Sequence, residues 1–410
     1  MRTSLHIELP ICGRAMYLSS FIHREALFNI AERWFCDRME PNDALMLTQI
    51  LICDGFVLGQ TLQETTRSLL RRICTDCMNE EPIRFKGQLR DALCRGPQPV
   101  TPRTLALCRE YQAYPEYYYR EAPINGVLYT DSRHRLRGIY RIKRPRRIAE
   151  KANRKIAQWI FERVQRRAQE MARERASRYE IPLENLVTPE KVMVEEFIQA
   201  EKHIARSFGK NEIHLDRSAM TIHDVGGIKI VAEIRDLDLL EKSLHEDPTL
   251  KVLEKEDFLG DYQAVSLVLE VPWDRDRVCR EYLEKESWRK YLDRGIGEAD
   301  LKKGLEPFLE GADSRLNIEL ILSTFEDLVE SELGDSIHEE RITAQREGRV
   351  YKGYIPMNVE FLLGYLFAVG FSPCVQIETL PIRLWGRYLP DTLLSHLRRL
   401  YSLPEHDFLS

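Results

Sequence analysis

The chain has 410 residues, of which 43% are hydrophobic and 30% charged, a balance that excludes a disordered chain. Sixty Lys and Arg against 65 Asp and Glu give a formal charge of -5, which excludes a uniformly basic protein but leaves room for a local basic site. The length exceeds one ordinary core and predicts two or three units. The longest apolar run, residues 361–371, is roughly half of what a bilayer requires. With Glu8 and Pro10 interrupting any apolar leader, the expectation is no signal peptide and no membrane. Nine cysteines are too few for a disulfide scaffold and fit a cytoplasmic protein.

Residues 1–130 read as a mostly helical unit. Residues 45–57 are largely apolar, and 62–73 have amphipathic spacing. Residues 94–103 form a break with three prolines. The run YQAYPEYYY at 111–119 offers rings that stack on bases or pack at a domain edge. Between Arg137 and Arg178, fifteen Lys or Arg face four acids. After Pro145, the spacing of Ile148, Ala152, Ile156, Trp159, Ile160 and Val164 predicts one long helix with an apolar stripe and a basic back. A solvated helix face mixes signs, whereas this one scarcely does, so the charge points to phosphate.

Residues 182–186 read as a connector, and Thr188 and Pro189 open a helix that Gly209 ends. Strands are expected at 228–234, 264–271 and 316–322, with helices at 237–244, 274–309 and 325–342. A small helical unit, 351–410, follows. The pattern is α+β, a mixed sheet flanked by helices, with a central unit at 131–350 that contains a helical insertion at about 156–215.

Two carboxylates stand out as chemistry. Asp224 precedes Gly226 and Gly227, whose lack of side chains permits tight turning and close approach of a phosphate or its metal. Glu319 lies in an apolar strand between Ile318 and Leu320, so it points away from both. If they share a cleft, the two suit magnesium, which prefers hard oxygen ligands. His223-Asp224 has the form of a metal phosphohydrolase dyad, but His203, His214 and His245 lack the helical support such a site needs. Cys74 and Cys77 have half the spacing of a zinc site, with Cys94 and Cys108 as the remaining ligands, although buried thiols explain them more simply. The phosphate-binding P-loop, the dinucleotide fingerprint and the serine elbow are all missing from the sequence.

Four blocks in order resemble the synthetase domain of the RelA/SpoT-type family, the enzymes that make guanosine tetra- and pentaphosphate alarmones. Arg141-Ile142-Lys143 followed by Lys151 is similar to the family's Arg-x-Lys element. Residues 224–230 (DVGGIKI) are similar to its Asp-x-x-Gly-Ile-Arg-Ile block. Residues 261–266 (DYQAVS) are similar to Gly-Tyr-Gln-Ser-Leu-His, and 318–324 (IELILST), with Glu332, Gly334 and His338, to the family's glutamate strand and the helix after it. The resemblance covers about half the chain. It departs at Lys229 and Ser266, which stand for arginine and histidine, and at Ile321 and Ser323, which stand for glutamine and arginine. The basic segment before Tyr262 is shortened and has lost its lysine.

The resemblance implies a nucleotidyltransferase-like fold and a pyrophosphokinase that transfers pyrophosphate from ATP to the 3′-hydroxyl of GDP or GTP. It implies Asp224 and Glu319 as catalytic residues and Mg2+ ligands. Arg141, Lys143, Lys151 and Lys229 would hold the donor, and Tyr262 would stack on the acceptor base. Two alternatives follow from the departures: a toxin-like enzyme acting on the 3′ end of tRNA and held off by an antitoxin or other regulatory protein, or an inert nucleotide or RNA sensor.

Overall fold

The computed structural model describes residues 17–95, 101–210, 212–213, 221–260, 262–334, 340, 343 and 353–403. Its strands are β1 (Tyr17–Leu18), β2 (Asn79–Phe85), β3 (Pro123–Thr130), β4 (Leu136–Ile142), β5 (Thr221–Ile222), β6 (Gly226–Val231), β7 (Lys251–Leu259), β8 (Gln263–Pro272) and β9 (Arg315–Ser323). The helices are α1 (Arg24–Phe35), α2 (Asp43–Ile73), α3 (Lys86–Leu93), α4 (Pro102–Ala113), α5 (Pro145–Arg178) and α6 (Glu190–Gly209). They continue with α7 (Ile234–Glu246), α8 (Arg275–Glu284), α9 (Glu298–Leu301), α10 (Phe325–Leu333), α11 (Tyr354–Phe371) and α12 (Pro390–Leu400). Helices therefore flank a central mixed sheet and extend it at both ends of the chain.

The sheet has seven strands in the order β2-β3-β4-β6-β9-β8-β7, and β1 pairs with β5 separately. The β6–β9 pair is parallel and the other neighbours are antiparallel. Because side chains alternate across a strand, register assigns every residue to a face. Ile228, Ile230, Ile318, Leu320, Leu267 and Leu269 enter the main core with α1, α2, α5 and α11. The opposite face carries Ile139 and Val231, which join Leu89, Leu107 and Leu328 in a smaller core beneath α3, α4 and α10. That smaller layer leaves part of the face uncovered, and the cleft described below opens there.

Several strands depart from the sequence expectation. Residues 79–85 and 123–130 belong to the central sheet, although residues 1–130 read as helical. In β2 only Ile83 is buried, and β7 is exposed along most of its length. Both are edge strands, so neither needs the alternating apolar pattern that marks a half-buried strand. β4 is hidden inside the basic run. The expected helix at 274–309 stops at Glu284 and continues as short turns, with Gly295 at φ 71°. A side chain at Gly295 would collide with the Pro373 carbonyl at 2.1 Å.

The long basic helix runs unbroken from Pro145, with Ile148, Ala152, Ile156, Trp159, Ile160 and Val164 buried. It forms a hairpin with α6, where Trp159 meets Phe208 edge-on at 5.8 Å and Arg175 pairs with Glu196 at 3.2 Å. The C-terminal segment supplies a central core helix: α11 buries Leu362, Leu363 and Leu366. By length and composition α2 and α11 are both apolar enough to cross a membrane, unlike the eleven-residue run counted from sequence. Of their apolar windows, 67% and 61% are buried inside the protein, as expected of core helices.

The register makes a direct prediction about neighbouring residues of β9. Leu320→Ala, at a fully buried position, should cost about 2–5 kcal/mol in urea unfolding. Glu319→Ala, on the open face, should cost about 1 kcal/mol or less.

Candidate active site

The cleft lies where β4, β6 and β9 run side by side. In register, Arg141 on β4 stands opposite Gly227 on β6, and Gly227 stands beside Glu319 on β9. One step along the sheet, Lys229 neighbours Ile321. All of these side chains share the open face. The first turns of α5 close one end, α3 and α10 another, and the β7–β8 hairpin a third. The resulting cavity of about 380 Å3 is lined by Arg141, Lys143, Lys151, Asp224, Lys229, Tyr262 and Glu319, all seven of the site residues named from sequence.

Asp224 is the most constrained of them. Lys143 Nζ lies 2.7 Å from its Oδ2, Lys143 also donates to its backbone carbonyl, and Lys151 Nζ contacts the same carboxylate. Lys143 is anchored by its own N–H, which donates to Val225 O at 2.8 Å. Lys151 reaches the site because two turns of α5 separate it from Arg144, the residue capping that helix. Burial pushes the Asp224 carboxyl up, but the two ammonium groups outweigh it and hold the group well below the usual carboxylate range. Burial lowers the Lys143 ammonium, against the opposing pull of Asp224 and Glu319.

Lys143 Nζ is also 4.0 Å from Glu319 Oε2. The two carboxylates therefore flank one ammonium group, and the 2.7 and 4.0 Å distances bound their separation by their sum. Glu319 points away from Ile318 and Leu320, as alternation requires, since both neighbours are fully buried in the main core. The glycines ahead of it act differently from the sequence expectation. Neither has a positive φ. A Cβ on Gly226 would press on Leu58 and Leu62 at 2.8 and 2.9 Å, and one on Gly227 would meet Glu319 Oε2 at 3.2 Å. One glycine lets α2 approach the sheet and the other makes room for the carboxylate.

A hard-oxygen pair of this kind fits a magnesium ion, with the Lys143 ammonium standing where the cation's charge would fall. The surrounding wall is strongly positive: seven Lys or Arg (Lys86, Arg141, Lys143, Arg144, Arg147, Lys151, Lys229) against Asp224, Glu319 and Glu332. Such a lining suits a polyanion, and the N-terminus of α5 adds its dipole. Farther along α5 some of the charges find partners on the helix itself: Arg163 lies over Trp159 at 4.8 Å, and Arg167 pairs with Glu170 and Glu174. From the basic segment, Arg141, Lys143, Arg144, Arg147 and Lys151 line the cleft, all before the third turn of α5.

At the hairpin, the Tyr262 and Phe258 rings lie nearly parallel, with centroids 6.5 Å apart, and both line the cavity. On the α10 side, Glu332 is buried among Lys86, Arg141 and Lys229. Burial raises its carboxyl, and the cations outweigh that and hold it far below the usual range. Burial lowers the Lys229 ammonium to about 8, with Glu332 opposing the shift. Lys86, Arg144, Arg147 and Phe258 were not singled out from sequence. The two arginines lay within the counted basic run, whereas Lys86 carries no local signal. His338 and Asp261 lie outside the described residues.

The dyad and the zinc site, both disfavoured by the sequence, gain no support, and the preferred reading of buried thiols holds for Cys108 alone among Cys74, Cys77, Cys94 and Cys108. His223 binds Ser19 Oγ at 2.8 Å and Asn317 at 3.2 Å, and among the described residues no further histidine joins it to form a dyad site. Cys74, Cys77, Cys94 and Cys108 form no metal-binding group among the described residues; Cys77 is exposed and Cys108 buried. Among the described residues, the group with metal-ligating composition is His23, Cys53 and Asp54, all buried. Both Asp54 oxygens accept from His23, its ring at 2.5 Å and its N–H at 2.8 Å, while burial pushes the Cys53 thiol up and keeps it protonated. This arrangement ties the chain before α1 to α2. No known family model matches the chain, and no curated protein is significantly similar to it.

The depressed Lys229 has a stability consequence whose sign is fixed. Its folded value near 8 lies below the ordinary 10.5, so the folded protein binds fewer protons between them, and stability rises with pH through that window. Lys229→Met should therefore stabilise the fold at pH 7 by about 1–3 kcal/mol, and the gain should shrink above about pH 8. Chemical denaturation at pH 7 and pH 9.5 measures both.

Proposed function

We propose that the chain is a magnesium-dependent pyrophosphokinase with a nucleotidyltransferase-like fold, which moves the β,γ-pyrophosphoryl group of ATP to the 3′-hydroxyl of a guanosine nucleotide. One observation carries this reading: residues named from four separated blocks of sequence converge on a single basic cleft. The resemblance to the RelA/SpoT-type synthetases supplies the reaction class, and the charge pattern is what such a reaction requires.

Arg141, Lys143, Lys151 and Lys229 clamp the triphosphate, because positioning and neutralisation are most of what phosphoryl-type transfer asks of a protein. Asp224 and Glu319 would hold magnesium, which when bound neutralises phosphate charge and lowers the pKa of the acceptor hydroxyl. Tyr262 stacks on the acceptor base beside Phe258. The 3′-oxygen bonds to the β-phosphorus, the bond from that phosphorus to the α–β bridging oxygen breaks, and AMP leaves with that oxygen. Glu319 takes up the hydroxyl proton, directly or through water.

A second acceptor reading rests on the β7–β8 hairpin. Residues 256–261 (EDFLGD) contain no basic residue, so an acceptor's own 5′-phosphates meet no cation there. That favours a reacting end without a 5′-diphosphate, such as the 3′ end of tRNA.

Incubation with γ-labelled ATP, magnesium and GDP, GTP or tRNA in turn tests the reading. Label should pass to one acceptor, and its identity decides between the two. Asp224→Ala and Glu319→Ala should each lower transfer roughly 1,000-fold or more while the fold is kept. Label in no acceptor, or normal transfer by either variant, contradicts the proposal.

A further inference from the structure

We propose that Lys86, on α3, is a positioning residue for this site: by occupying the Glu332 carboxylate it keeps Arg141 and Lys229 available to phosphate. The inference rests on the transferase reading and extends it to a part of the chain outside the four family-like blocks.

Glu332 faces the cleft from α10 and is 4% exposed. Lys86 Nζ lies 2.6 Å from its Oε2, and both side chains are 5% exposed. Arg90, one turn further along α3 and fully buried, donates to the Glu332 carbonyl at 3.0 Å and has Nη2 3.8 Å from Oε2. Arg141 stands 3.6 Å from the other oxygen, much looser than Lys86 at 2.6 Å, and remains about one third exposed where it lines the cavity. Lys86 thus takes the short contact to the carboxylate, while Arg90 holds the Glu332 backbone carbonyl. Arg141 keeps its fork toward the cleft, and Lys229 lines the same wall.

α3 is well placed to do this because it is fastened on both sides. The N–H groups of Lys86 and Gly87 donate at 2.9 Å to the carbonyls of Ala122 and Arg120, and Gln88 accepts from the Phe85 N–H at 3.0 Å. Asp91 receives the Tyr111 hydroxyl and Arg120, each at 2.7 Å. A Cβ on Gly87 would already touch Arg120 at 3.2 Å. With Lys86 removed, a buried carboxylate loses its closest cation and draws its remaining partners inward, because an uncompensated buried charge is costly. Arg141 and Lys229 would then close on Glu332 and be lost to the ligand.

Binding of magnesium tripolyphosphate to the full chain at pH 6.5 tests this without relying on turnover. Lys86→Met should bind roughly 10-fold more weakly than the unaltered protein, and Lys86→Arg should restore affinity to within about 3-fold. In an Arg141→Met background, Lys86→Met should add less than about a 3-fold further loss, because the two act on one contact. If Lys86→Met does not fold, Lys86→Gln takes its place in the same comparison. Unchanged affinity for the Lys86 variant alongside a loss for Arg141→Met overturns the proposal alone, as does failure of Lys86→Arg to rescue. Absence of tripolyphosphate binding by the unaltered chain overturns the transferase reading on which it rests.

Discussion

The site depends on an electrostatic constraint: Asp224, on the connection into β6, and Glu319, on the open face of β9, flank the Lys143 ammonium, and Lys151 stands beside Asp224. Two carboxylates this close repel one another, and burial penalises Asp224 in its charged form. Lys143 and Lys151 offset both costs at Asp224, and Lys143 reaches Glu319 as well. A site built this way is charged to capacity before any ligand arrives. On the proposed reading its ligand carries both signs, a polyanion with its divalent counter-ion, which would supply the carboxylates with a cation while freeing the lysines for phosphate.

The backbone makes that arrangement possible through the β6–β9 pair. Its register sets Gly227 beside Glu319, and the missing side chain gives the carboxylate its space. The antiparallel partner β4 brings Arg141 and then Lys143 along the same face and hands the chain to α5 within three residues. Lys151 arrives two turns later. The opposite face of β6 and β9 is buried in the main core through Ile228, Ile230, Ile318 and Leu320, so Glu319 is anchored by apolar packing beneath it. The second, smaller core beneath α3, α4 and α10 brings Glu332 and its cations against the remaining wall.

Much of this was legible in the sequence, and the reasons are specific. Glu319 was readable because strict alternation places a polar residue opposite its two apolar neighbours. The course of α5 was readable because its apolar stripe keeps the helical period from Ile148 to Val164, which carries Lys151 to a known position. Edge strands were not readable, since β2 and β7 bury little and obey no alternation. Gly226 and Gly227 read as permitting a tight turn and the close approach of a phosphate or its metal, whereas the neighbours they admit are α2 and Glu319, which a sequence does not tell apart. Lys86 was invisible for a simpler reason: its meaning comes wholly from Glu332, 246 residues away.

The central claim is that Asp224 and Glu319 jointly hold a divalent ion against the donor triphosphate. Its most direct test is a crystal structure of the chain with manganese and a non-hydrolysable ATP analogue, the ion located by anomalous scattering. The account predicts a manganese peak bonded to both carboxylates, with the triphosphate lying over Arg141, Lys143 and Lys151. An ion bound elsewhere, or a nucleotide seated outside this cleft, would contradict it.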